Sequence, residues 1–291
     1  MAKNSKKSKQ FKILYTIAMV VLICVFLACA IYLFVYYYQA KRNEDKVDEL
    51  KELFVEGDND TNQYENEVIA TMSDGEMVEF VRINGNTVLK RFSRIYRRNM
   101  DFIGWLKIED TEIDYPVMLC KEDEEYYLHR DFDKKYNGNG TLFMDTESDP
   151  KKPSDNLLIY GHNMKNGKMF NNLLDYRKED FYKKHKYIQF DTLYSKGIYE
   201  VVAAFPTKIY EEDYEGFKYY TFFNASNEKQ FNIYIDSCKE LTPYTIETTA
   251  SYGDELITLS TCAYHADEGR FVVVAKKISN KDNLEDIKNK K

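Results

Sequence analysis

Cysteine is scarce in this chain, with five residues in 291. Cys24 and Cys29 fall in a long apolar run, so only Cys120, Cys238 and Cys262 remain for the rest of the chain. Three is an odd number, which excludes a domain built on disulfides and leaves at least one free thiol. The sequence leaves open whether Cys120 and Cys238 pair or stay as buried free thiols.

The chain beyond the N-terminus lacks an excess of positive charge, because acidic residues outnumber basic ones there. The formal net charge is −7, and residues 1–38 contain five lysines and no acid, so the remainder carries −12 (−7 minus 5). Nucleic acid is therefore not an expected partner, because binding a phosphate backbone requires clustered cations. No His, Cys or acidic cluster has the spacing of metal ligands, so neither a metal nor another cofactor is expected. Internal repeats and low-complexity tracts are absent from the sequence as well.

One long segment carries no charge at all, from residue 13 to residue 37. A helix of this length crosses about 30 Å of hydrocarbon, so we predict a membrane anchor. The length of the run argues against a cleaved signal peptide, despite the small residues around Cys29, and against acylation of Cys29. The lysines that precede the run predict a cytoplasmic N-terminus and an extracellular remainder, on a single-pass protein of the cell membrane.

Changes in composition divide the chain into five segments. We predict a cytoplasmic basic tail at 1–12, the transmembrane anchor at 13–37, a charged extracellular stalk at 38–75, a globular domain at 76–279 and a polar tail at 280–291. The stalk has helical apolar spacing at Val47, Leu50, Leu53 and Phe54. Residues 88–100 also predict a helix, with one apolar face and solvated arginines elsewhere. The apolar residues of that face are Leu89, Phe92, Ile95 and Tyr96.

Short β-rich runs with turn residues between them follow residue 100, a pattern typical of all-β barrels and sandwiches. An amphipathic helix at 226–241, with Ser226 as its N-cap, interrupts them in a long insertion. The chain as a whole has 44% hydrophobic and 31% charged residues, so it can bury an ordinary core. Eight strands are predicted, at 105–108, 115–119, 140–144, 156–160, 187–192, 199–206, 255–260 and 270–277.

The last two predicted strands carry the strongest chemical signal. Cys262 ends one of them and Arg270 opens the next, so an antiparallel hairpin would bring thiol and guanidinium to the same small volume. A neighbouring cation lowers the pKa of a thiol and raises its nucleophilicity, and Arg keeps its charge at every relevant pH.

A thiol nucleophile also needs a proton carrier, for which histidine is suited. His162 directly follows the apolar strand at 156–160, at a strand end where reactive groups are commonly placed. His129 and His185 lie in charged runs and are interpreted as surface or structural residues. His265, three residues after Cys262, is the local rival for the role of acid and base.

These residues carry a resemblance to a known family. The string 258–262 (TLSTC), followed eight positions after its cysteine by Arg270, resembles the sortase signature, and 156–170 (NLLIYGHNMKNGKMF) is similar to the histidine segment of class B sortases. Ala263 departs from class B members that carry Glu there, so no role for an acid is transferred to that position. Further matches lie at 104–108 (GWLKI), 114–117 (DYPV) and 126–128 (YYL).

The resemblance implies an eight-stranded sortase β-barrel with N-terminal helices and a long helix before the catalytic strand. It implies a cysteine transpeptidase with Cys262 as nucleophile, His162 as acid and base and Arg270 as electrostatic stabiliser. Its partners would be secreted proteins with an Asn-Pro-x-Thr type sorting motif and a lipid-linked peptidoglycan precursor, or a pilin lysine, as amine acceptor. Ser260, Thr261 and Tyr160 are candidates for substrate binding, although each could equally serve strand packing. The alternatives are a cell-wall cysteine peptidase and a non-enzymatic surface-binding domain.

Overall fold

The computed structural model describes residues 2–54, 67–71, 77–263 and 268–279. The helices are α1 (Ala2–Glu52), α2 (Ser93–Arg98), α3 (Glu179–Lys184) and α4 (Glu228–Leu241), with short 3-10 helices at Lys90–Phe92, Tyr126–His129, Asn171–Arg177 and Tyr219–Thr221. The strands are β1 (Glu67–Thr71), β2 (Met77–Ile83), β3 (Asn86–Leu89), β4 (Phe102–Lys107), β5 (Asp114–Met118), β6 (Leu142–Met144), β7 (Asn156–Gly161), β8 (Tyr187–Thr192), β9 (Ile198–Lys208), β10 (Leu256–Cys262) and β11 (Gly269–Ser279).

Eight of these strands close into a barrel in the order β10-β11-β9-β8-β4-β5-β6-β7. Every strand predicted after residue 100 overlaps one of them, so the predicted eight-stranded barrel with added helices is confirmed. Two neighbouring pairs are parallel, β10 with β7 and β5 with β6, and the other strand pairs are antiparallel. The parallel pairing of β7 with β10 places the ends of two distant segments side by side.

Helix α4 covers one side of this barrel. Its residues Phe231, Tyr234, Ile235 and Cys238 are buried and pack in one cluster with residues of β9, β10 and β11. Consecutive residues of β11 are consequently buried on both faces of the strand. The predicted N-cap was wrong by one position: the Asn227 side chain accepts a hydrogen bond from the Gln230 backbone N–H at 3.1 Å.

A second, three-stranded sheet in the order β1-β2-β3 was not predicted. Its β2–β3 hairpin turns at Asn84 and Gly85, both with positive φ, which is the Asn-Gly signal of a two-residue hairpin. The helix predicted over 88–100 is therefore shorter, because Leu89 ends β3 and helical structure covers only 90–98. The predicted apolar face is nonetheless buried throughout.

The chain divides into two compact units, Met1–Asp45 and Lys46–Lys291. Most of α1 belongs to the first unit. Among the described helices, α1 is the one that is long and apolar enough to cross a membrane. In the second, Leu50 is fully buried in the core, and Val47, Leu53 and Phe54 pack on the same cluster. Residues 46–54, in the middle of the predicted stalk, thus pack with the globular unit.

Ionic contacts add to this attachment. Lys46 Nζ lies 2.9 Å from Asp133 Oδ2, and Asp133 also pairs with Arg98 at 3.1 Å. Arg91 pairs with the buried Asp191 at 2.8 Å. Two of the arginines that were predicted to form a solvated face are therefore engaged in ion pairs.

Removing residues 1–39 is expected to give a soluble protein that unfolds cooperatively, since the apolar run is lost and the packed segment at 46–54 is kept. Removing residues 1–54 should lower the free energy of unfolding by about 3 kcal/mol or more, because Leu50 and the Phe54–Trp105 ring contact at 4.8 Å are lost. Size-exclusion chromatography and thermal melting of the two truncated proteins check this. Equal stability of both would show that 46–54 contributes nothing to the core.

Candidate active site

The β10–β11 hairpin brings Cys262 and Arg270 together as predicted from the sequence. They are directly opposed partners in the antiparallel register, at the end of the ladder. The backbone pairing continues one step further, since the Ala263 N–H donates to the Gly269 carbonyl at 2.9 Å. Cys262 is partly buried, so its thiol is held at a fixed strand end that remains open to a substrate.

Strand β7 brings the third residue of the site from a hundred positions away. Tyr160 is in register with Ser260, and Gly161 with Thr261. The next residue on each strand is His162 on one side and Cys262 on the other. Because paired parallel strands run about 4.8 Å apart, the register places residues 162 and 262 at the same end of the barrel.

The ring of His162 is oriented by a hydrogen bond between its Nε2 atom and the Leu128 carbonyl, at 2.7 Å. A carbonyl oxygen only accepts, so Nε2 carries the hydrogen in this contact. In the neutral ring Nδ1 then holds the free lone pair, which is the atom that can take up and release a proton.

Burial is the main influence on the protonation of His162. It lowers the pKa of the ring below the usual histidine value, and the positive charge of His129 acts in the same direction. The bond to the Leu128 carbonyl opposes them by favouring the charged ring. The net result is a histidine that is mostly neutral at neutral pH and gives up a proton more readily than an ordinary imidazolium.

The Arg270 guanidinium lies against the surface of the hairpin. It donates to the Gly269 carbonyl at 3.1 Å and to Glu268 Oε2 at 3.3 Å. The charge of Arg270 also acts on Tyr219, which is hydrogen-bonded to Ser260. Burial raises the pKa of Tyr219 to about 12, and both the Ser260 bond and the positive charge of Arg270 oppose that rise. A substrate oxygen can compete for the guanidinium, because the Glu268 side chain is 66% exposed and such ion pairs are weak.

The three residues suggested for substrate binding all have internal partners. The Ser260 hydroxyl shares a 2.7 Å hydrogen bond with Tyr219, and the Thr261 hydroxyl donates to the Gly161 carbonyl at 2.7 Å. Tyr160 is partly buried and donates to Asp145 Oδ2 at 2.9 Å. Through these hydrogen bonds, Ser260 and Thr261 contribute to the packing of the strands at the site. Substrate binding by any of the three residues stays a prediction.

The remaining histidines lie in different surroundings. His185 stacks on Phe181 with ring centroids 3.9 Å apart, and His265 lies outside the described residues. His129, interpreted from the sequence as a surface or structural residue, stacks on His162 at 5.7 Å. Sequence reasoning missed this contact and the Tyr219–Ser260 bond, because no local pattern connects segments so far apart in the chain.

Cys120 and Cys238 are both free thiols in the structure, which answers the question of their pairing. Burial raises the pKa of each thiol above the usual value, so both favour the unreactive protonated form. Among the described residues no three His, Cys, Asp or Glu side chains are grouped as a metal site.

Comparison with known proteins gives the family. The model of the Sortase domain matches residues 106–278. Sortase B of Staphylococcus aureus (strain NCTC 8325 / PS 47) is 32% identical over 191 residues, covering 65% of this chain and 75% of that protein. The crystal structure of sortase B from B. anthracis in complex with AAEK1 aligns with a TM-score of 0.64 at 28% identity, over 84% of this chain and 99% of that one. A Staphylococcus aureus sortase B–substrate complex aligns with a TM-score of 0.60 at 32% identity, over 67% of this chain and 87% of that one.

The chain therefore belongs to the sortase family, in its class B. It is a cysteine transpeptidase of the sortase type, which confirms the family and the enzyme class predicted from the sequence motifs.

Proposed function

We propose that this transpeptidase is anchored to the cell membrane by its first helix and cleaves an Asn-Pro-x-Thr type sorting motif on secreted proteins. It then transfers the cleaved protein to an amine of a lipid-linked peptidoglycan precursor. The observation that carries the proposal is the pair of strand registers that brings Cys262, Arg270 and His162 to one end of the barrel. The similarity to a sortase B–substrate complex supports a sorting-signal substrate.

In the first half of the reaction, the Cys262 thiolate attacks the carbonyl carbon of the motif's threonine. The negative charge that develops on the carbonyl oxygen is stabilised by the Arg270 guanidinium. When the C–N bond breaks, the leaving amine takes the proton from Nδ1 of His162, while Nε2 keeps its hydrogen on the Leu128 carbonyl. The products are a Cys262 thioester and a peptide with a free amino group.

In the second half, the acceptor amine attacks the thioester and gives a proton to Nδ1 of His162. The C–S bond breaks, the thiolate returns and a new amide joins the protein to the acceptor. The thioester conserves enough of the energy of the original amide for this step to proceed without ATP. Burial of His162 supports its role as acid, because an imidazolium whose pKa is lowered gives up its proton readily.

The test uses the protein without residues 1–39, an Asn-Pro-x-Thr peptide with a fluorophore and quencher, and a short peptide with a free amino group. We expect cleavage between Thr and the following residue, an amide-linked product, and a thioester adduct on Cys262 by mass spectrometry. Water as the sole acceptor would support a cell-wall peptidase instead. An adduct on another residue would refute Cys262 as nucleophile.

Arg270→Lys keeps the positive charge but loses the planar fork of donors. If the guanidinium holds the oxyanion, kcat/KM is expected to fall at least about tenfold, since losing one oxyanion donor costs about 100- to 1000-fold. Glu268→Gln is the matched control: it removes the exposed ion-pair partner of Arg270 and should change kcat/KM by less than about twofold. Full activity of Arg270→Lys would show that charge alone is needed.

A further inference from the structure

The segment that contacts His162 is fixed by buried hydrogen bonds. Tyr127 is fully buried, donates to Asp101 Oδ2 at 2.7 Å and accepts from Asn99 Nδ2 at 2.9 Å. Its carbonyl accepts from the Thr141 N–H at 3.0 Å. The His129 carbonyl likewise accepts from a backbone N–H at 3.0 Å, that of Asn137. The Tyr126–His129 helix therefore presents its last residues to the site in one defined position.

Two consecutive residues of this segment hold the ring of His162. The Leu128 carbonyl takes the Nε2 hydrogen at 2.7 Å. The His129 ring stacks on the His162 ring with centroids 5.7 Å apart and planes inclined by 27°. His129 itself lies exposed at the surface and also contacts the ring of Tyr136, at 6.4 Å. One face of the proposed acid and base is thus formed by a second imidazole open to solvent.

The stacked pair has an electrostatic consequence. The charged side chain that acts on the His162 ring is His129 from the 3-10 helix, while Cys262 ends β10 and Arg270 lies at the start of β11, at the same end of the barrel. A positive charge on the stacked His129 ring lowers the pKa of His162. Two unit charges this close oppose each other even with the screening of water.

We propose that His129 is a positioning residue for the acyl transfer, whose ring fixes one face of His162 and whose positive charge, when the ring is protonated, opposes a second proton on the site. This inference rests on the proposed roles of His162 and Cys262. The inactive low-pH form carries a protonated thiol and an imidazolium together. A cation at 129 makes that form harder to reach, so the enzyme keeps its activity to lower pH than it would with a neutral residue there.

Two substitutions separate the ring from the charge. His129→Phe keeps an aromatic ring against His162 and removes the charge at every pH. Its maximal kcat/KM should match the wild type, and the acidic midpoint of its pH profile should rise by about half a pH unit, the effect of a unit charge at this distance in water.

His129→Lys keeps the charge at every pH and loses the ring. Its acidic midpoint should stay at or below the wild-type value, and its maximal kcat/KM should fall about threefold or more, since the charge now also disfavours the active imidazolium.

His185→Gln is the matched control, because it removes an imidazole that stacks on Phe181 instead of His162. Its acidic midpoint is expected to equal the wild-type value. The inference is overturned by an unchanged acidic midpoint in His129→Phe, or by the same shift in His185→Gln. Complete inactivity of folded His129→Phe would also overturn it, since that would give His129 a chemical step of its own.

The proton resonances of the His162 ring give a readout that does not depend on catalysis. In an NMR titration, the midpoint of His162 should be about half a pH unit higher in His129→Phe than in the wild type. If the protein transfers no peptide but this shift is present, the proposed function fails and the contact between the histidines stands. If transfer depends on Cys262 but the shift is absent, the inference about His129 fails alone.

Discussion

Cys262→Ala is expected to reduce cleavage and transfer of a sorting peptide by about 10⁴- to 10⁶-fold, the range seen when a nucleophile that acts as part of a unit is removed. The fold should persist, because Cys262 is partly buried at a strand end and its replacement removes a single sulfur atom. A loss of about 1 kcal/mol or less in the free energy of unfolding is expected. Turnover by fluorescence and a thermal melt of the same sample measure both effects.

The other two thiols outside the apolar run provide the controls. Cys120→Ala is the closer match, since Cys120 is also free and partly buried, and it should retain full turnover. Cys238→Ala opens a small cavity under α4, so it should cost stability but not activity. Substantial turnover in Cys262→Ala, or inactivity of a folded Cys120→Ala, would contradict the assignment of the nucleophile.

His162→Ala is expected to be almost as damaging as Cys262→Ala, because neither group completes the reaction without the other. The double variant should be no worse than either single one, since residues that act as a unit do not contribute additively. In the wild type, kcat/KM should follow a bell in pH that belongs to the coupled pair. Its acidic limb should lie below the usual histidine value of about 6.5, because burial lowers the pKa of His162.

His265→Ala is the control for this experiment, as it changes the rival histidine three residues after Cys262. It should alter the rate only modestly and leave the bell in place. Added imidazole should partly restore His162→Ala, because the substitution opens space beside the Leu128 carbonyl that can orient a free ring. An active His162→Ala beside an inactive His265→Ala would reassign the acid and base while leaving Cys262 as nucleophile.

The strands of the barrel were predictable because their signal is local. Alternating or continuous apolar residues bounded by turn residues mark β4 to β11, and the same signal located Cys262 and Arg270 across a short turn. The three-stranded sheet was missed although Asn84-Gly85 is a hairpin signal, because no element was assigned between the predicted stalk and the helix predicted over 88–100. The apolar spacing from Leu89 to Tyr96 was correctly assigned to the core and, except for Leu89 at the end of β3, to helical structure.

By itself, the sequence determined the class B sortase family, the strands and the inserted helix, and the two residues that face each other across the last hairpin. Each of these follows from residues close together in the chain. Only the tertiary structure decided how distant segments meet: the parallel pairing of β7 with β10 that sets His162 beside Cys262, the contact of His129 with His162, and the packing of Leu50 into the core. Such contacts depend on barrel closure, and closure is a property of the whole set of strands that no single stretch of sequence contains.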